Sequence, residues 1–170
     1  MGVRGWRRWV WPLVGLLVVS ALAVDMVRGT AGPGLKEIQA VDLAGKTWSL
    51  EASRGKPVLL SFFSTTCGPC RMEFPAFVQF QQKFANRGLQ VVYLTQESRE
   101  VIQAEPGLAT APITFLIDAV QAFQDYRVDS LPRTLLISAS GEVLMDLPGY
   151  HPALVQQLED KIETLPVQGG

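Results

Sequence analysis

The sequence predicts an α/β domain: a central mixed sheet flanked by helices. Three observations carry this. "VLLSFF", Val58 to Phe63, is apolar at all but one position, as expected of a central strand covered on both faces. Stretches of strand character then alternate with stretches of helical periodicity to the end of the chain. Finally, "SLPRTLLIS" and "VLMDLPG" are separated only by the short turn "ASGE", Ala139 to Glu142, so this pair must run antiparallel within an otherwise crossover-built sheet.

Each element follows from local pattern. Lys36 to Leu50 reads as a hairpin: "IQAVDL" alternates, "AGK" turns and "TWSL" returns. Gly55 to Pro57 breaks the chain ahead of Val58. Arg71 to Arg87 carries Phe74, Phe77, Val78, Phe80, Phe84 and Ala85 at spacings that build one apolar helical face, and Gly88 stops it. "LQVVYLTQ" is a second strand. "ESREVIQAEPGLAT" is a short helix and loop, "ITFLID" a third strand, and "AVQAFQDYRV" mostly helical. The last helix begins near His151-Pro152, with proline in the first turn, and runs to about Leu165. His151 reads as a helix-start residue and is given no chemistry.

The first residues differ from the rest. Arg4, Arg7 and Arg8 precede an uncharged apolar segment, Trp9 to Val24, followed by the Gly/Pro-rich "GTAGPG". A basic flank before an apolar run is the pattern of an export signal or signal-anchor, with the flank held in the cytoplasm. The run is close to the roughly 20 residues a membrane span requires, and Trp6, Trp9 and Trp11 cluster as interfacial anchors do. "ALA" at Ala21 to Ala23 offers a cleavage site for the alternative, a soluble exported domain. The expected organisation is therefore a signal-anchor or signal peptide over 1–28, a linker over 29–34, a folded domain over 35–166 and a loose tail over 167–170. The expected location is the bacterial inner membrane, with the domain in the periplasm. Of 170 residues 48% are hydrophobic and the formal net charge is −1, with no basic stripe in the body, which argues against nucleic acid as a partner.

The chemistry sits in "SFFSTTCGPCRMEFPAF", which holds both cysteines, Cys67 and Cys70. A staple, a metal site and a redox centre all use this residue. Two cysteines and one histidine fall short of the four ligands of a structural zinc site. A bridge over so short a loop removes little unfolded-state entropy, which weakens the staple, although an oxidising compartment permits it. The redox reading gains from position. The pair lies where a strand passes into a helix, and unsatisfied N–H groups and the helix dipole stabilise a thiolate there. Such surroundings lower a cysteine pKa from about 8.5 to between about 3.5 and 7.5. Cys67 is then the nucleophile and Cys70, inside the helix, the resolving thiol. Gly68 lets a partner backbone approach, and Pro69 loses nothing at a position whose N–H is unsatisfied in any case.

Together with "YRVDSLPRTLLIS" and "SGEVL", the stretch "GKPVLLSFFSTTCGPCRMEFP" resembles the thioredoxin superfamily, and within it the membrane-anchored thiol–disulfide oxidoreductases of the TlpA/ResA/DsbE type, with suppressor-of-copper-sensitivity proteins as neighbours. The resemblance runs over most of Leu35 to Leu165. It implies a three-layer thioredoxin-like fold, a redox-active Cys67–Cys70 disulfide with no other cofactor and no metal, and a cis Pro132 beside the sulfurs. It also implies that Leu131 presents backbone groups to the substrate peptide, that Glu73 tunes the cysteines, and that Pro75 kinks the helix. The implied partners are protein disulfides or dithiols, including apocytochrome c thiols in cytochrome c maturation, and a DsbD/CcdA-like membrane electron donor.

Three positions depart from the pattern. Thr66 stands where tryptophan is common. Ser61 stands where thioredoxin has a buried aspartate, so that Cys70 must pass its proton to Glu73 or water. Arg133 follows Pro132 where threonine is usual, and a cation there would stabilise the Cys67 thiolate. The expected activity is reduction of protein disulfides. A disulfide oxidase or isomerase, a non-catalytic binding module on the same fold, and a peroxidase for which Ser64-Thr65-Thr66-Cys67 only loosely echoes the needed motif are the alternatives.

Overall fold

The computed structural model of the chain describes residues 35–166. The expected signal-anchor, the linker and the tail lie outside the described residues. Among the described residues no helix is long and apolar enough to cross a membrane.

Seven strands form one sheet: β1 Gln39–Asp42, β2 Thr47–Ser49, β3 Val58–Phe62, β4 Gln90–Leu94, β5 Thr114–Ile117, β6 Arg133–Ile137 and β7 Val143–Pro148, in the order β2-β1-β5-β4-β3-β6-β7. β3, β4 and β5 are parallel, and the outer pairings are antiparallel, including the expected β6–β7 hairpin. The N-terminal hairpin is part of this sheet, because β1 pairs with β5 through Val41↔Ile117 and Asp42↔Leu116. Four helices complete the domain: α1 Gly68–Phe84, α2 Arg99–Ala104, α3 Val120–Asp125 and α4 Pro152–Glu163.

α1 begins earlier than apolar periodicity alone suggests. Proline in its first turn sets the helical φ, and Cys67 serves as N-cap, its Sγ accepting from Cys70 N at 3.2 Å. The helix continues through Pro75, which has no N–H to give the carbonyl of Arg71. It ends in a 3₁₀ turn, Ala85–Arg87, closed by Gly88 at φ +82°, a conformation that costs glycine little.

Strand alternation divides the core between two faces of the sheet. Leu59, Phe63, Val91, Tyr93, Phe115 and Leu136 pack with Phe77, Phe80 and Phe84 of α1 and Leu154, Leu158 and Ile162 of α4. Val58, Leu60, Phe62, Val92, Leu94 and Leu135 pack on the opposite face with Ala122 and Phe123 of α3. Both faces of β3 are covered, which is why its sequence is apolar without alternation. Lys83 ties α1 to α4 by bonding Glu159 and Glu163, each at 2.7 Å.

Phe77 is fully buried against Phe80 and Tyr93, with ring centroids at 5.9 and 5.8 Å. The substitution Phe77→Ala should cost about 3–5 kcal/mol in chemical denaturation. A loss below about 1 kcal/mol would contradict the placement of α1 on this face.

Candidate active site

The site grows out of the end of β3. Beyond Phe62 the chain leaves the sheet, turns through Ser64–Thr66, with Cys67 N donating to Ser64 O at 3.1 Å, and enters α1 at Gly68. Cys67 and Cys70 are joined as a disulfide with Cα atoms 5.3 Å apart. Cys70 is fully buried, whereas Cys67 is half-buried and Gly68 and Pro69 are exposed, so Cys67 is the sulfur a partner can reach. In the reduced protein the same Cys70 N–H, with the dipole of a 17-residue helix behind it, is placed to stabilise a Cys67 thiolate.

Glu73 is one turn below Cys70 and is 0% exposed. Register explains its surroundings. Ser61 on β3 is level with Tyr93 on β4 and with Thr134 on β6, so the three side chains form a row across the sheet beneath α1. Glu73 Oε1 accepts from Ser61 Oγ at 2.7 Å, and Ser61 Oγ in turn accepts from Thr134 Oγ1 at 3.2 Å. Glu73 Oε2 and the Tyr93 hydroxyl have no hydrogen-bond partner of good geometry among the described residues. They are nevertheless close enough that the carboxylate, added to burial, raises the tyrosine's ionisation well above its usual range. Burial pushes Glu73 up to about 7, against the opposing pull of the hydroxyls of Ser61, Tyr93 and Thr134. A buried carboxyl that changes charge near neutrality, one turn from a thiol, is equipped to take up and return a proton.

The Leu131–Pro132 peptide bond is cis and Pro132 is buried. The register Phe62↔Arg133 puts both residues at the end of β6 where β3 departs toward Cys67, and Leu131, like Cys67 and Phe74, packs half-buried against the core that contains Cys70. Arg133 is not a free cation. Its guanidinium bonds both oxygens of Asp146, at 2.9 and 2.6 Å, and the carbonyl of Tyr126 at 2.5 Å. The pairing that holds Arg133 charged also commits its guanidinium to β7. Among the described residues no group of three or more His, Cys, Asp or Glu side chains is placed to hold a metal ion.

The family profile described as AhpC/TSA matches residues 31–145. The chain belongs to the AhpC/TSA family. Among named relatives of this AhpC/TSA member, the thiol-disulfide oxidoreductase ResA of Bacillus subtilis is 30% identical, over 80% of this chain and 77% of that protein. The thioredoxin-like protein YneN of Bacillus subtilis is 35% identical over 62% of this chain, a match spanning 63% of that protein's own length. Among solved structures, a Chlorobium tepidum protein assigned as the thiol:disulfide interchange protein DsbE superposes with a TM-score of 0.67 at 29% identity, covering 79% of this chain and 94% of that one. The thioredoxin-like fold and the ResA/DsbE resemblance drawn from the motifs are thus borne out.

One functional candidate, Glu97, was invisible in the sequence. It lies just past β4, and its carboxylate is bonded by the turn that carries Cys67: by Thr65 Oγ1 at 2.6 Å, Thr65 N at 3.0 Å and Ser64 Oγ at 3.1 Å, with Thr95 Oγ1 at 2.9 Å. Only the parallel pairing of β3 with β4 brings these segments together, and no local motif announces it.

Glu73 makes a pH prediction. Its folded-state value, about 7, lies above the ordinary 4.5, so the folded chain holds a proton that the unfolded chain has released. The stability this gives is full below pH 4.5 and is lost as pH rises to about 7, a change of about 3 kcal/mol. Urea unfolding of the oxidised protein should show this decline relative to Glu73→Gln. Parallel pH dependences for the two would contradict the assignment.

Proposed function

We propose that the chain is a thiol–disulfide oxidoreductase that reduces protein disulfides outside the cytoplasm, held at the membrane by residues 1–28. The observation that carries the reading is the reachable Cys67 sulfur at the head of α1, with Cys70 sealed one turn deeper.

In the forward direction the Cys67 thiolate attacks one sulfur of a substrate disulfide. The substrate S–S bond breaks, its second sulfur departs as a thiolate and takes a proton from solvent, and a Cys67–substrate mixed disulfide forms. Cys70 gives its proton to Glu73 and attacks Cys67 Sγ. The Cys67–substrate bond breaks, the second substrate thiolate leaves, and the Cys67–Cys70 disulfide closes. Two electrons have passed to the substrate. Leu131 and Pro132, beside the exit of β3, supply the backbone edge along which an extended substrate segment lies. Arg133 contributes through its backbone, since its side chain is committed to Asp146.

The reducing direction is favoured by the Gly68-Pro69 dipeptide, which is thioredoxin's own. Thioredoxin and DsbA mark about −270 and −120 mV, a span of about 7 kcal/mol for two electrons. A reductant in an oxidising space needs electrons carried across the membrane, for which a DsbD/CcdA-like donor is the fitting source. Disulfides formed between the paired cysteines of apocytochrome c are the substrate class to test for such a reductant.

The reduced chain should accelerate insulin reduction, and Cys67→Ser should abolish the acceleration. Cys70→Ser should instead accumulate mixed disulfides at Cys67, identifiable by mass spectrometry. Equilibration with glutathione should give a potential on thioredoxin's side of the range; a value near DsbA's would turn the reading into that of an oxidase.

A further inference from the structure

The Ser64–Thr66 turn fixes where Cys67 enters α1, and little within the turn itself can hold it. Its internal bonds are the Ser64–Thr66 hydroxyl contact at 3.0 Å, Thr66 N to Ser64 Oγ at 3.3 Å and Cys67 N to Ser64 O at 3.1 Å. Thr65 nevertheless is only 6% exposed, and its N–H and hydroxyl both point into one carboxylate, that of Glu97. Glu97 is itself anchored twice by its backbone: its N–H donates to Thr95 Oγ1 at 3.2 Å, and its carbonyl accepts from Asp118 N at 3.1 Å, just past β5. The carboxylate thus fastens the cysteine-bearing turn to the ends of two neighbouring strands.

We propose that Glu97 is a positioning residue for Cys67: its carboxylate, receiving Ser64 Oγ, Thr65 N and Thr65 Oγ1, holds the turn in the place from which Cys67 Sγ accepts from Cys70 N–H. The inference rests on the reading of Cys67 as the nucleophile.

Two effects of this carboxylate on Cys67 oppose each other. As a negative charge it disfavours a nearby thiolate. As an acceptor it maintains the cap geometry that favours one. Geometry is the larger effect in this proposal, because three donors of the turn converge on the one carboxylate. Burial raises the Glu97 pKa, but the hydroxyl and N–H of Thr65 and the hydroxyls of Thr95 and Ser64 outweigh it and hold the value below the usual range. Arg71 also holds the turn, donating to Thr65 O at 3.3 Å while pairing with Glu105 at 3.1 Å. Glu73, the other titratable group near the pair, is buried one turn below Cys70 and bonds Ser61.

The test uses the full chain carrying Cys70→Ser, so that Cys67 is the sole thiol, and records the pH profile of its alkylation by iodoacetamide. Circular dichroism confirms folding. Glu97→Ala should move the profile to higher pH by about one unit, a fall of about tenfold in rate at pH values below the midpoint. Thr65→Val, which keeps the N–H and removes the hydroxyl, should move it the same way by less. Glu97→Gln, which keeps an acceptor without the charge, should restore most of the rate. Should Glu97→Ala fail to fold, Thr65→Val and Glu97→Gln decide. Unchanged profiles in Glu97→Ala and Thr65→Val would overturn the inference, and so would a shift to lower pH in Glu97→Ala, since that would make charge the governing effect. Insulin reduction by the unsubstituted chain is measured alongside. Its absence would remove the reductase reading while leaving the alkylation comparison intact.

Discussion

The bond from Cys70 N–H to Cys67 Sγ, at 3.2 Å, is the contact on which the rest of the site depends. It makes a side chain that is poor as a helix cap into the cap of a 17-residue helix. In doing so it places the reactive sulfur where the unsatisfied N–H groups and the positive end of the dipole are concentrated. The apolar face of α1 supplies the anchorage. Phe77, Phe80 and Phe84 are buried on the sheet, so the first turn of the helix is held past the end of the central strand β3 by packing well away from the chemistry.

The sheet contributes a second, polar device. On an otherwise apolar face, Tyr93, Ser61 and Thr134 occupy adjacent strands at one level, and Glu73 descends onto that row. A carboxyl without these hydroxyls would be costly to bury even when neutral. Burial keeps it protonated to about neutral pH against the pull of these hydroxyls, so that it can change state when Cys70 does. The two cysteines are thereby served differently: Cys67 by backbone dipoles at the surface, Cys70 by a titratable neighbour in the interior.

What could be read from the sequence was what is local. Cys67, Cys70, Gly68 and Pro69 lie within four consecutive residues, and the strand before them and the apolar helix after them are periodic enough to recognise. Glu73 was legible through the family resemblance, and Ser61 as the one polar residue of an apolar strand, where thioredoxin has an aspartate. Tyr93 and Thr134 were not, since their approach to Glu73 depends on the register of β3 with β4 and β6. Glu97 escaped for the same reason: its donors are ordinary serine and threonine groups from another segment. Arg133 shows the converse. Its place next to Pro132 suggested a role at the sulfur, but the diagonal neighbour Asp146 on β7, invisible without the hairpin register, captures its side chain.

The central claim is that the start of α1 ionises Cys67. It is tested most directly by titrating the thiolate absorbance of the reduced protein between acid and alkaline pH, with Cys70→Ser assigning the signal to Cys67. The account predicts a midpoint for Cys67 within the lowered range of about 3.5 to 7.5, and a midpoint near the free-cysteine value of about 8.5 would contradict it.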